Sequence, residues 1–277
     1  MASLFQTNSG AMHNPLLPAG DQSTAGQFGF APCGQQRASI PREPSSRTQQ
    51  PIVTGTGVLG LKYKDGVMLA ADTLGSYGSL ARFRDVRRMQ KVGENTIVGA
   101  SGDLSDYQKI MKNIHEMQTY DMANDDGCSM TPRDFHQYMG RVMYNRRNKF
   151  DPFWNEIVVA GFRDGKPFLG CVDLIGTMYE DDVIATSFGN YVCLPLMRKA
   201  GTDLTKAEAK KVMEDCLRVL YYRNTKSSAR IQISTVTAAG VETEEPYEVS
   251  THWGFEGFRH TEYHGQKRPQ ETFVGRY

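Results

Sequence analysis

Cysteine is scarce and scattered in this 277-residue chain, net charge is nearly absent, and no apolar run is long enough to cross a bilayer. The five cysteines (Cys33, Cys128, Cys171, Cys193 and Cys216) are odd in number and form no CxxC pair. That spacing argues against both a disulfide framework and structural zinc, and fits a reducing compartment. The formal charge of +1 gives no electrostatic case for nucleic acid or an anionic membrane as partner. A membrane helix needs about 18 or more consecutive apolar residues, and nothing here approaches that. The histidines (His13, His115, His136, His252, His260 and His264) have no cysteine or carboxylate at metal-ligand spacing, so neither a metal nor another cofactor is expected. What remains is 39% hydrophobic residues in an ordinary globular balance.

Residues 1–47 differ from the rest. They are rich in Gly, Pro, Ser and Gln and lack apolar periodicity, so they cannot bury enough surface to order themselves. Leu16-Leu17 alone does not make the apolar stretch of a secretory signal, and Arg37, Arg42 and Arg47 are too few and too late for a transit peptide. By composition this segment is a disordered tail. At the other end, residues 246–277 show no clear periodicity but hold Trp253, Phe255, Phe258, Tyr263, Phe273 and Tyr277 beside His, Arg and Gln. Solubility tails rarely contain so many aromatics, whereas interfaces favour aromatics and Arg. An interface arm is the expectation there, with a frayed tail as its alternative.

Between these segments the pattern alternates strands with helices. Thr54 to Asp72 reads as a hairpin around a Lys64-Asp65-Gly66 turn, with Gly55-Thr56 just before the first strand. Gly75 to Arg84 reads as a loop, and Arg88–Val92 and Thr96–Ala100 as a strand pair. Leu104, Tyr107, Ile110, Met111 and Ile114 recur at three and four, predicting one buried helical face after Ser101-Gly102-Asp103. Thr131-Pro132-Arg133-Asp134 opens a second helix, ending near Arg146-Arg147. A hairpin around Arg163–Lys166, a short helix over Tyr191–Lys199 and a capping box at Thr205–Glu208 follow. The box starts a helix reaching about Tyr222, and strands Ile231–Thr237 and Val241–Glu245 close the pattern. Two sheets with helix pairs outside would bury every one of these stripes, an α+β layered domain.

The dipeptide Gly-Thr recurs at Gly176-Thr177 and Gly201-Thr202, so alone it carries nothing. The joint register carries more: Gly55-Thr56, the hairpin, Ala70-Ala71-Asp72, Arg87-Arg88 and Ser101-Gly102-Asp103. This register resembles the beta-type subunits of the 20S proteasome, which are N-terminal nucleophile hydrolases. The resemblance spans about Thr48 to Val241, including Gly75–Arg84 and Leu220-Tyr221-Tyr222-Arg223, and it implies a four-layer αββα sandwich. In that family a Gly-Thr bond is cut and the freed threonine attacks peptide carbonyls, its own amine serving as base.

Carried over by position, Thr56 matches the nucleophile and Asp72, sixteen residues on, matches the acid that orients a lysine. The lysine itself is Arg88 here. An arginine does not give up its proton near neutral pH, and its planar fork suits a static bidentate bond to Asp72. Asn190 stands where active members have Ser, and Asn224 where they have Asp, while Ser227 matches. Each lost acid-base group removes about 10²–10⁴ in rate. Thr48 to Thr56 also resembles the mature start of the non-catalytic subunit at the seventh beta position, implying cleavage at Arg47-Thr48 and an internal Thr56. The expectations are therefore a removed propeptide over 1–47, a beta-type domain over 48–245 and an interface arm over 246–277. They extend to a non-catalytic role in stacked seven-membered rings with other alpha and beta subunits, in cytoplasm and nucleus. The rival expectation is an active threonine protease freed at Gly55-Thr56.

Overall fold

The computed structural model describes residues 50–124, 127 and 129–254. The first sheet contains β1 (Val53–Gly55), β4 (Gly75–Tyr77), β5 (Leu80–Phe83), β6 (Met89–Val92), β7 (Thr96–Asp103), β8 (Asn155–Arg163), β9 (Lys166–Val172) and β10 (Met178–Glu180). Its order is β10-β9-β8-β7-β1-β4-β5, with β6 sharing one edge of β7 with β1. The second sheet contains β2 (Val58–Tyr63), β3 (Gly66–Asp72), β11 (Val183–Ala185), β12 (Arg230–Thr237), β13 (Gly240–Thr243) and β14 (Tyr247–Glu248). Its order is β11-β2-β3-β12-β13, with β14 also on β12. The strand pairs in both sheets are antiparallel.

The two-residue period of a strand sorts these side chains into layers. In β3, Val67, Leu69 and Ala71 join Ile97, Val158, Ala160 and Leu169 of the other sheet in an apolar inter-sheet core. The alternate residues Met68 and Ala70 face a second core against helices α3 (Gly189–Val192), α4 (Leu194–Ala200) and α5 (Lys206–Arg223). A third core sets Val98, Ile157 and Val159 against α1 (Leu104–Asn124) and α2 (Pro132–Asn148). Helices, sheet, sheet, helices: the four-layer αββα sandwich is what the structure shows. Close sheet contact requires a small residue at Gly60, where an added Cβ would lie 2.9 Å from Leu169 and 3.1 Å from Leu69. Leu69 is fully buried, and truncating it to Ala would cost about 2–5 kcal/mol.

Both capping boxes form. Thr131 and Thr205 accept from the amides of Asp134 and Glu208, whose carboxylates reach back to the cap amides. Cys171, Cys193 and Cys216 are buried and form no disulfide, and burial pushes the Cys171 thiol up to about 12.

Several local expectations need correcting. Gly75 to Arg84 is a hairpin with a bulge at Gly75/Ser76, not a loop. The expected helix over Tyr191–Lys199 is two helices broken at Cys193, with Pro195 in the first turn of the second, where its missing N–H costs nothing. Three-residue strands β1, β10 and β11 are too short to display alternation, and none was anticipated. The folded body also continues past residue 245, since β14 pairs with β12 and Val249 is buried in the α4–α5 core.

Candidate active site

Thr56 lies in the corner between β1 and β2, at 5% exposure. Asp72 is the last residue of β3, held in register opposite Ile231 of β12. The Thr56 hydroxyl donates to Asp72 Oδ1 at 2.7 Å, and the Ser228 amide donates to Oδ2 at 2.9 Å. Arg88, just before β6, runs inward with a side chain at 0% exposure, and its Nη2 also donates to Asp72 Oδ1. Burial pushes the Asp72 carboxyl above its ordinary range, while the Arg88 charge and the hydrogen bonds from Thr56, Ser228 and Arg88 pull it back down.

The Arg88 fork does not close on the carboxylate in the expected bidentate manner. One nitrogen serves the Asp72 carboxylate, and the remaining donors go to the backbone. Nε and Nη2 reach the Asp72 carbonyl at 3.1 and 2.9 Å, while Nη1 reaches those of Thr56 and, at 3.2 Å, Ala100. These acceptors belong to the β1–β2 corner, the end of β3 and β7. Arg88 therefore ties three segments together through their buried carbonyls. The packing is equally tight: a Cβ on Gly55 would lie 2.3 Å from Arg88 Cδ.

The chain entering Thr56 is itself built into the fold. β1 pairs on one side with β4, Val53 opposite Tyr77 through Gly55 opposite Gly75. On the other side it pairs with β7, Thr54 opposite Asp103 and Gly55 opposite Gly102. Gly102 has φ +94 and faces the Trp154 carbonyl, which a Cβ would meet at 2.0 Å, so only glycine fits where β7 turns to take β1. Asp103 fixes the start of this strand. Its Oδ2 accepts from the Ile52 amide at 2.9 Å, while Oδ1 accepts from Ser105 and Asp106 at 2.8 and 3.2 Å and so caps α1.

Beside this corner lies a cavity of about 380 Å³, lined among others by Thr54, Thr56, Gly102, Glu156, Asn224 and Lys226. Chemically the arrangement lacks a free base. The Thr56 nitrogen is acylated by Gly55. The carboxylate oxygen that accepts from the Thr56 hydroxyl also accepts from the Arg88 guanidinium, so it is already committed to two donors.

A sequence profile described as Proteasome subunit matches residues 52–236. The chain belongs to this family. It is 44% identical over 220 residues to the proteasome subunit beta type-4 of Arabidopsis thaliana, covering 79% of this chain and 89% of that one. The Xenopus laevis proteasome subunit beta type-4 is 48% identical over 213 residues, covering 76% and 88%. The Saccharomyces cerevisiae proteasome subunit beta type-7 is 42% identical over 212 residues, covering 73% and 80%.

Within this proteasome subunit the structure brings Thr56, Asp72 and Arg88 into contact. Asn224 closes α5, and its side chain accepts from the Lys226 amide at 3.0 Å instead of reaching Thr56. Ser227 is buried, yet its hydroxyl finds no partner among the described residues, and its neighbour Ser228 is the one that reaches Asp72. Asn190 sits half-buried on α3 and does not line the cavity. Sequence reasoning missed Asp103 as an anchor of β1 and Thr186, whose hydroxyl accepts from the Val58 amide at 2.8 Å. The Ser101-Gly102-Asp103 triplet was the available signal for the first; nothing local marks the second. Trp253 is 61% exposed and packs edge-on against Tyr221 and Tyr222, whereas Arg47, Thr48, Phe255, Phe258, Tyr263, Phe273 and Tyr277 lie outside the described residues.

Proposed function

We propose that this chain is a non-catalytic, structural member of the inner beta rings of the 20S proteasome core, in particles that degrade ubiquitinated and other intracellular proteins with ATP. Its partners are the other alpha and beta subunits of the stacked seven-membered rings, in cytoplasm and nucleus. The single observation that carries the reading is β1. A catalytic threonine must be released from the chain before it, and here that chain is an internal strand hydrogen-bonded on both edges. Arg88 additionally donates to the Thr56 carbonyl and packs on Gly55. The beta type-4 name shared by relatives at 44% and 48% identity supports the same position.

The Arg47-Thr48 bond is the processing site in this reading, because cutting there removes residues 1–47 and leaves β1, which starts at Val53, whole. Of the 246–277 segment, the part beyond Val249, with Trp253 at the described end, forms the arm that reaches a neighbouring beta subunit; truncation near residue 250 should leave half-particles on a native gel. Labelling of native particles with a covalent threonine-directed inhibitor tests the central point. Label should appear on other beta subunits and not on this chain. Label on Thr56 would establish the rival, an active threonine protease freed at Gly55-Thr56.

A further inference from the structure

The β4–β5 hairpin ends the first sheet, and the outer edge of β5 pairs with nothing among the described residues. All four β5 residues are exposed, and large apolar side chains stand along the hairpin: Leu80 at 58%, Tyr77 at 47% and Phe83 at 43%. Edge strands that must stay single are guarded by outward lysines, proline or bulges, among other devices. This one has no lysine or proline, and its bulge lies in the pairing with β4, not on the outer edge. Its charge, Arg82, lies back over the Tyr77 and Phe83 rings at 5.6 and 5.3 Å, leaving the backbone edge open. Arg82 and the adjacent Arg84 have no carboxylate in ion-pair range among the described residues, although Arg87 and Arg230 nearby both do.

We infer that this edge is a docking strand for an extended, acidic segment of another subunit in the same particle; the inference rests on the proteasome reading above. Addition of a strand would satisfy the outward N–H and C=O groups of β5, and carboxylates on that strand would meet Arg82 and Arg84. Charge excludes the other occupants. Residues 255–277 carry Glu256, Glu262 and Glu271 against Arg259, Lys267, Arg268 and Arg276, a net +1. Residues 1–49 carry Asp21 and Glu43 against Arg37, Arg42 and Arg47, again +1. A second copy of this chain would set the same arginines against each other. Only a different, acidic chain complements the edge.

The test is made in assembled particles containing full-length chain with Leu80→p-benzoylphenylalanine. Irradiation should join position 80 to an acidic stretch of another subunit. The double change Arg82→Glu with Arg84→Glu should lower incorporation into full particles about tenfold, the scale of a moderate interface hot spot. Arg82→Lys with Arg84→Lys should restore it. A chain that enters particles normally yet cross-links to nothing at position 80, or to a segment without net acidic charge, overturns the docking edge and leaves the proteasome reading standing. A chain recovered in no particle at all overturns both.

Discussion

Arg88 and Arg82 lie close together in the chain and in opposite physical situations. Arg88 is wholly buried, with its charge opposite Asp72 and its donors spread over the carbonyls of Thr56, Gly57, Asp72 and Ala100 and one carboxylate. Arg82 is exposed, stacked on two rings and without a carboxylate in range among the described residues. A buried guanidinium with every neighbour satisfied is a fixed part of the fold, because losing it strands a charge and several acceptors. An exposed one on an open strand edge contributes little to folding and is available to a partner. The same residue type therefore locks the corner around Thr56 in one place and leaves a charged strand edge exposed in the other.

The comparison breaks most readily at Arg88. Arg88→Met should destabilise the chain by about 3–5 kcal/mol, read as a lowered urea midpoint, since it leaves Asp72 unpaired in the core. Arg88→Lys should recover part of that loss and still give no inhibitor label on Thr56, because a point charge cannot serve the separate carbonyls and β1 still acylates the Thr56 amine. A wild-type midpoint for Arg88→Met would remove the distinction between the two arginines. Next in size is Gly55→Ala, expected to cost about 1–3 kcal/mol by forcing Arg88 out of contact with β1. Thr205→Ala, which removes the α5 cap remote from either arginine, should cost about 1 kcal/mol in the same denaturation series. Smallest is Arg82→Ala, whose midpoint should stay within about 0.5 kcal/mol of wild type while particle incorporation falls. A large stability loss there would make Arg82 a folding residue like Arg88.

Local patterns were legible in the sequence: the buried face of α1, the capped starts of α2 and α5, and the β2–β3 hairpin. Each depends on residues near one another in the chain. The contact of Thr56, Asp72 and Arg88 was legible only through the family register, because no local pattern brings residues so far apart in the chain into one corner. What escaped depended on tertiary pairing. β1 is three residues long and exists because β7 and β4 offer open edges around it, with Gly102 allowing the approach. The backbone role of the Arg88 fork escaped for the same reason, since its carbonyl partners come from segments whose proximity no local pattern shows. The β4–β5 hairpin looks like a loop in sequence because Gly78 and a bulge interrupt its alternation.

The intact mass of this chain, taken from native particles, tests the central claim most directly, since it reads the mature N-terminus. The account predicts a mass beginning at Thr48, with β1 retained and Thr56 internal. A mass beginning at Thr56 would mean that β1 is cut away, and it would contradict the claim that the strand before Thr56 is a permanent part of the fold.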